Sequence, residues 1–487
     1  MKTMAILFSM FFGSVAVLPA AAAPASGGAR PGVSIPDTKE GAHIRALLAA
    51  LESPAGEAVP HFVETHFDAA ALKDLPAAPR IERIRGMAAR LGRLEILRML
   101  PTTPEGPTFQ ARSSKTGETL TVTLELAPSG GRGIRAIRVE TGGPEEAGPP
   151  PEAPKGSDTE VVSAAAEWLD KLALSDQFSG VVLLARNGTP IFQKAYGMAN
   201  RELEVPNALD TRFNIASIGK LFTSAAIAGL VRGGRLAYAD TVAKWLPGTK
   251  IPSADRITVA QLLEMQSGLG DIFGPAFAAS PKNRIQELSD YLTLFETRPL
   301  RFEPGKGREY SNAGFVVLGL IIEKITGKTY REYVREAVFG PAGMNDTGLF
   351  AADEITPHRA VGYTRQDGGE GSATGPRRSN VFLQPGRGSS AGGSFSTAGD
   401  LLKFTMAVKR GDLSMADPGH DGSRDGAGGF AGGAPGCNAL LEWNSDRSLV
   451  AIVLANDDPP MAVNTGRRLS QWMGMQSKGR VPAQPAR

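Results

Sequence analysis

The chain has 487 residues, 42% of them hydrophobic and 21% charged, with a formal net charge of +3. That length exceeds what one compact domain usually holds, and the composition is that of a globular protein able to bury a core. No basic run interleaves with aromatic residues, which argues against a nucleic-acid partner. Cys437 is the only cysteine, so an intramolecular disulfide and a multi-cysteine metal site are excluded and the thiol reads as packing. Five histidines without a His-Glu-x-x-His pattern leave a metallohydrolase short of ligands, and neither a metal nor an organic cofactor is expected.

In chain order, residues 1–22 read as a signal peptide. Lys2 supplies the positive start, Met4 to Leu18 is an apolar stretch too short for a membrane span, and Ala20, Ala21 and Ala22 offer a cleavage site. The expectation is a periplasmic or secreted protein with no stable membrane anchor after cleavage. The lack of a cysteine near that site argues against a lipid anchor. Residues 24–38, rich in Ala, Pro and Gly, read as a flexible leader.

Residues 39–141 read as a small α+β domain. Apolar residues at helical spacing mark His43 to Leu51 and Ile81 to Leu91, and strand patterns mark Leu94 to Leu97, Leu120 to Leu126 and Ile134 to Val139. The outline resembles the NTF2-like or cystatin-like domains fused to some exported hydrolases. His61 and His66 lack the spacing and partners of a metal site and read as surface histidines. Residues 142–158 form a Pro/Gly-rich linker.

The second unit, residues 159–475, opens with a helix from Glu160 to Leu172, capped by Ser157 or Asp158. Gly180 to Ala185 and Ile191 to Tyr196, joined by Asn187-Gly188, predict a hairpin. A long helical region follows. Ala439 to Trp443 and Leu449 to Ala455 predict a second hairpin around Asn444 to Asp446, and Met461 to Trp472 a last helix, with 476–487 as a tail. The fold class is therefore α+β: an antiparallel sheet closed by sequence-distant hairpins, terminal helices on one face, and an inserted helical subdomain.

The chemistry is carried by Phe213-Asn214-Ile215-Ala216-Ser217-Ile218-Gly219-Lys220. The run from Leu221 to Val231 is apolar nearly all round and predicts a buried helix. Ser217 then sits at its start with Lys220 one turn on, on the same face. A serine needs a neighbouring base, a lysine in a low-dielectric site with other cations nearby can be depressed enough to serve as one, and the helix start favours a developing anion. Ser-x-x-Lys alone also fits a capping serine followed by a surface lysine. Tyr310-Ser311-Asn312, between the turn Phe302-Glu303-Pro304-Gly305 and a second buried helix from Gly314 to Ile325, tips the balance. A tyrosine there can exchange a proton with the lysine, and Asn312 can bond both the lysine and a substrate carbonyl.

With these motifs the sequence resembles the serine β-lactamase-like and penicillin-binding-protein superfamily, nearest its class C β-lactamase and esterase-like branch. The resemblance spans residues 176 to 473. It extends to Gly234-Arg235-Leu236, Asp240, Trp245-Leu246-Pro247, Leu262-Leu263, Ser267-Gly268-Leu269, Gly362-Tyr363 and Ala391 to Thr397 with Asp400. It implies an acyl-enzyme on Ser217, proton handling by Lys220 and Tyr310, and substrate positioning by Asn312. The third family motif, Lys-Thr-Gly or His-x-Gly, corresponds to Phe430-Ala431-Gly432. By this resemblance Phe430 takes the cation's place, Gly432 and Gly433 keep the close backbone approach, and Gly433 N–H would complete an oxyanion hole with Ser217 N–H. The segment Asp417 to Gly429 is shorter and richer in glycine than the family pattern, which counts against β-lactam turnover and carboxylate recognition; His420 is a candidate replacement cation.

A rival, Gly388-Ser389-Ser390-Ala391-Gly392, matches Gly-x-Ser-x-Gly but lacks the strand before and helix after that a nucleophile elbow needs. The expected protein is an exported serine hydrolase acting on small esters, amides or D-amino-acid peptides, with weak or no β-lactamase activity. The alternative is a catalytically silent relative that recognises cell-wall peptides or a protein partner.

Overall fold

The computed structural model describes residues 35–74, 76–100, 106–115, 119–127, 133–141, 154, 157–366, 376–416 and 428–475. The expected signal peptide and tail, and most of the expected linker at 142–158, lie outside them, as does His420.

In the first unit, Thr38 caps α1 (Lys39–Glu52), its hydroxyl accepting from Gly41 N–H at 3.2 Å. α2 (Ala58–His66), α3 (Ala69–Asp74) and α4 (Ala77–Leu91) follow. The chain then forms an antiparallel sheet of β1 (Leu94–Met99), β2 (Thr108–Ser113), β3 (Thr119–Leu126) and β4 (Ile134–Thr141), paired in that order. Period-two alternation turns Leu120, Val122 and Leu124 inward against Ile44, Leu47, Phe62 and Leu91. β2 was not anticipated, because only Phe109 and Ala111 carry its inward pattern among polar neighbours. His66 departs from the surface reading. Its Nδ1 lies 2.9 Å from that of the buried His43, and its ring stacks on Phe62. Burial, with His43 and His61 nearby, holds its imidazole below the usual range.

The second unit begins at α5 (Asp158–Leu174). Ser157 is its N-cap, in a capping box where Glu160 accepts from Ser157 N–H at 2.7 Å. The main sheet runs β7 (Gly428–Ala434), β8 (Cys437–Trp443), β9 (Leu449–Ala455), β5 (Gly180–Arg186), β6 (Thr189–Tyr196), all antiparallel. β9 pairs with β5 from Leu449↔Arg186 to Ala455↔Gly180 and so joins hairpins from the two ends of the unit. Every residue of β9 is buried, as a central strand covered on both faces requires.

One face, with Val182, Leu184, Ala451 and Val453, carries α5 and α9 (Met461–Trp472), where Trp168 and Trp472 pack with ring centroids 5.5 Å apart. The other face, with Leu183, Leu441, Ile452 and Leu454, shares one core with α6 (Lys220–Arg232), α7 (Asn312–Thr326) and α8 (Ala398–Arg410); α8 lies against β9 and β5, and α7 packs against α6. The α+β architecture expected from the sequence is the one observed. Among the described residues no helix is long and apolar enough to cross a membrane. Cys437 is buried in β8, and burial pushes its thiol up to about 12.

Candidate active site

The site forms where the first turn of a helix is pressed against the edge strand β7. Ser217 lies on a 3₁₀ turn, Ala216–Gly219, that runs directly into α6. Sequence pattern alone placed it on the α-helix itself; the difference arises at Ala216, whose φ of +44° breaks the regular helical path. That strained residue is held on all sides. Its N–H donates to Asn214 Oδ1 at 2.9 Å, its carbonyl accepts from Gly393 N–H at 3.1 Å, and Ile215 N–H donates to Ser394 O at 2.9 Å.

Two glycines allow the backbone to close around this turn. A Cβ on Gly432 would lie 2.3 Å from Ile215 O and 3.0 Å from Ser217 N, and one on Gly392 would lie 2.5 Å from Ala216 O. Gly432→Val should therefore push β7 off the turn. The expected result is at least about a tenfold loss in kcat and a destabilisation of about 1–3 kcal/mol, read by kinetics and thermal melting. Unchanged turnover would show that β7 does not rest on the nucleophile turn.

Ser217 Oγ lies 2.7 Å from Tyr310 Oη and 3.3 Å from Lys220 Nζ, with both Ser217 and Lys220 buried. Lys220 Nζ also donates to Asn312 Oδ1 at 2.6 Å and to the carbonyl of Ala391, and it sits 4.8 Å from the centre of the Tyr310 ring. Tyr310 is half-buried, just ahead of α7, and Ser311 caps that helix by accepting from Gly314 N–H at 2.9 Å. Asn312 Nδ2 donates to Asp271 Oδ1 at 2.9 Å. The four residues singled out by the two motifs are thus brought together. Asp271 and the Ala391 carbonyl were missed, although both lie in or beside segments quoted for the family resemblance.

On β7, Phe430 and Gly432 share the face turned toward α6, opposite Leu441 and Ala439 of β8. Phe430 is half-buried and packs against that core. The hairpin closes at Ala434↔Cys437 through Pro435-Gly436, with Gly436 at φ +71°. A two-residue hairpin closes on a hydrogen-bonded pair, so alternation points Gly433 N–H off the free edge of the sheet. Asn438 anchors this strand, its Nδ2 donating to Gly432 O at 2.9 Å while its Oδ1 accepts from Ala462 N–H at 2.6 Å.

The rival serine is in the wrong place. Ser390 is fully buried, its hydroxyl facing Gly319 of α7, where a Cβ would come within 2.3 Å of it. The backbone around it is a tight turn, Ser389 N–H to Gly392 O at 2.8 Å and back, with no helix directly after it.

A serine held between a lysine and a tyrosine, at a helix start beside an edge strand of an antiparallel sheet, defines the serine β-lactamase-like and penicillin-binding-protein class. A family model described as Beta-lactamase matches residues 165–471, and the chain belongs to that family. It is 35% identical over 199 residues to Penicillin-binding protein 4* of Bacillus subtilis (strain 168), across 40% of this chain and 44% of that protein. The chain thus spans less than half the length of that relative. Putative penicillin-binding protein PbpX of the same organism is 28% identical over 294 residues, covering 57% of this chain and 71% of its own. The crystal structure of a penicillin binding protein from Bacillus halodurans superposes with a TM-score of 0.55 at 29% identity, over 63% of this chain and 98% of that one. A D-stereospecific amidohydrolase from Streptomyces sp. shares the fold, with a TM-score of 0.52 at 22% identity, over 64% of this chain and 99% of its own.

Proposed function

We propose that this member of the family is an exported acyl-transfer hydrolase acting through a covalent acyl-Ser217 intermediate on esters, amides or D-amino-acid peptides. The observation that carries the reading is Ser217 Oγ held 2.7 Å from Tyr310 Oη and 3.3 Å from Lys220 Nζ in a buried site. Lys220 Nζ faces three acceptors, Ser217 Oγ, Asn312 Oδ1 and Ala391 O, which suits an ammonium. An ammonium cannot take a proton, so the Ser217 proton passes to Tyr310 in its phenolate form, which the neighbouring ammonium stabilises. Ser217 Oγ bonds to the substrate carbonyl carbon. The resulting oxyanion is met by the N–H groups of Ser217 and Gly433, and Tyr310 returns the proton to the departing alcohol or amine. Water then enters by the same route in reverse and frees Ser217. The amide part of this substrate class also fits the name of the D-stereospecific amidohydrolase that shares the fold.

Phe430 narrows the substrate class. A carboxylate meeting an aromatic ring in place of a cation loses a charged hydrogen bond worth about 1.5–3 kcal/mol, roughly ten- to hundredfold. Neutral short-chain aryl esters should be turned over better than penicillins or peptides with a free carboxylate. Phe430→His or Phe430→Lys should narrow that gap. Steady-state kinetics on a neutral ester and its carboxylate-bearing analogue test this, and a wild-type preference for the carboxylate would mean that another cation serves the site. We further propose that residues 39–141 form a separate domain joined by the 142–158 linker, and that residues 1–22 direct export.

A further inference from the structure

Asn312 has to face one way for the site described above to be assembled. Its side chain is a nearly symmetric fork with an acceptor on one arm and a donor on the other. Lys220 only donates, so it requires the oxygen arm, and Nζ meets Oδ1 at 2.6 Å. The nitrogen arm meets Asp271 Oδ1 at 2.9 Å, and an ionised carboxylate only accepts. Turning the amide over would set two donors face to face at Lys220 and two acceptors face to face at Asp271. At Lys220 and Asn312, both buried, a polar group that loses its partner finds no water to replace it.

Asp271 is itself fixed. The same Oδ1 accepts from Phe273 N–H at 3.1 Å, and its backbone carbonyl accepts from Arg298 Nη1 at 2.9 Å. The residue before it, Gly270, sits at φ +72° and gives its carbonyl to Ser311 Oγ at 2.7 Å. Ser311 is the cap of the helix that Asn312 begins. Loop and helix start are therefore stitched together on both sides of the Asp271–Asn312 bond.

We infer that Asp271 is a positioning residue, whose carboxylate locks the Asn312 amide with its oxygen on Lys220 and so holds the ammonium beside Ser217 and Tyr310. This rests on the acyl-serine reading. It acts through Asn312, and what it supplies is an acceptor, which an asparagine at 271 can supply as well.

The test uses the full chain, a neutral aryl ester, and the variants Asp271→Ala, Asp271→Asn, Asn312→Ala and Asp271→Ala/Asn312→Ala. Asp271→Ala should lower kcat by about thirtyfold or more with KM within about threefold, and should slow fluorophosphonate labelling of Ser217 in parallel. Asp271→Asn should stay within about fivefold of wild type, and the double variant should be no slower than Asn312→Ala alone, within about twofold. An unchanged kcat in Asp271→Ala, an Asp271→Asn variant as slow as Asp271→Ala at wild-type Tm, or multiplicative losses in the double variant would each overturn the assignment. Failure of the hydrolase reading looks different: wild-type protein that neither hydrolyses the ester nor takes the label.

Discussion

Ser217→Ala should abolish ester hydrolysis and covalent labelling together, a loss on the order of 10⁴-fold or more in kcat, whereas Ser390→Ala should leave labelling intact. The contrast is sharp because the two serines sit in opposite settings. Ser217 lies on a strained, glycine-wrapped turn with a proton-handling pair at its hydroxyl. Ser390 is packed against Gly319 with its hydroxyl unpartnered among the described residues, so its removal should be neutral or mildly stabilising. Incubation with a fluorophosphonate and with a penicillin, followed by mass spectrometry of the modified peptide, reads both outcomes. Label that survives Ser217→Ala would remove the proposed nucleophile. Wild-type protein that resists every acylating probe would favour the silent, peptide-recognising alternative.

The parts of the molecule visible in the sequence are those where one residue type answers one local demand. Asn187-Gly188 marked the β5–β6 hairpin because that turn needs positive φ at both residues, and both have it, at +51° and +79°. The apolar run after Lys220 marked α6 because a helix buried all round has no polar face to show. β2 was obscured because an inward Phe109 and Ala111 among polar neighbours make a weak alternation. The site divides the same way. Ser217 and Lys220 stand at a spacing that puts them on one helix face, and Tyr310 and Asn312 stand together at the start of a second buried helix. Asp271 is a carboxylate in a loop, and the Ala391 contact is a backbone carbonyl; both acquire meaning only when distant segments meet at Lys220 and Asn312. His66 looked like a surface residue for the same reason, since its partner His43 comes from another helix.

Lys220 and Tyr310 should behave as one unit. Unperturbed, a lysine titrates near 10.4 and a tyrosine near 10, so neither alone is a base at neutral pH. Together, the ammonium 4.8 Å from the Tyr310 ring favours the phenolate, and the phenolate favours the ammonium. Lys220→Ala removes the charge that makes Tyr310 acidic and also leaves Asn312 Oδ1 and the Ala391 carbonyl without the donor that reaches them in the buried site. Tyr310→Phe removes the group 2.7 Å from the Ser217 hydroxyl while sparing the ammonium's other bonds. Each variant should lose about a hundredfold or more in kcat. Because the second residue has little to contribute once the first is gone, the double variant should lose far less than the product of the two. Single-turnover acylation by a neutral aryl ester isolates the step in which the Ser217 proton moves. Losses that multiply in full would show that lysine and tyrosine work independently, and the proton would then need a route from Ser217 that does not pass through Tyr310.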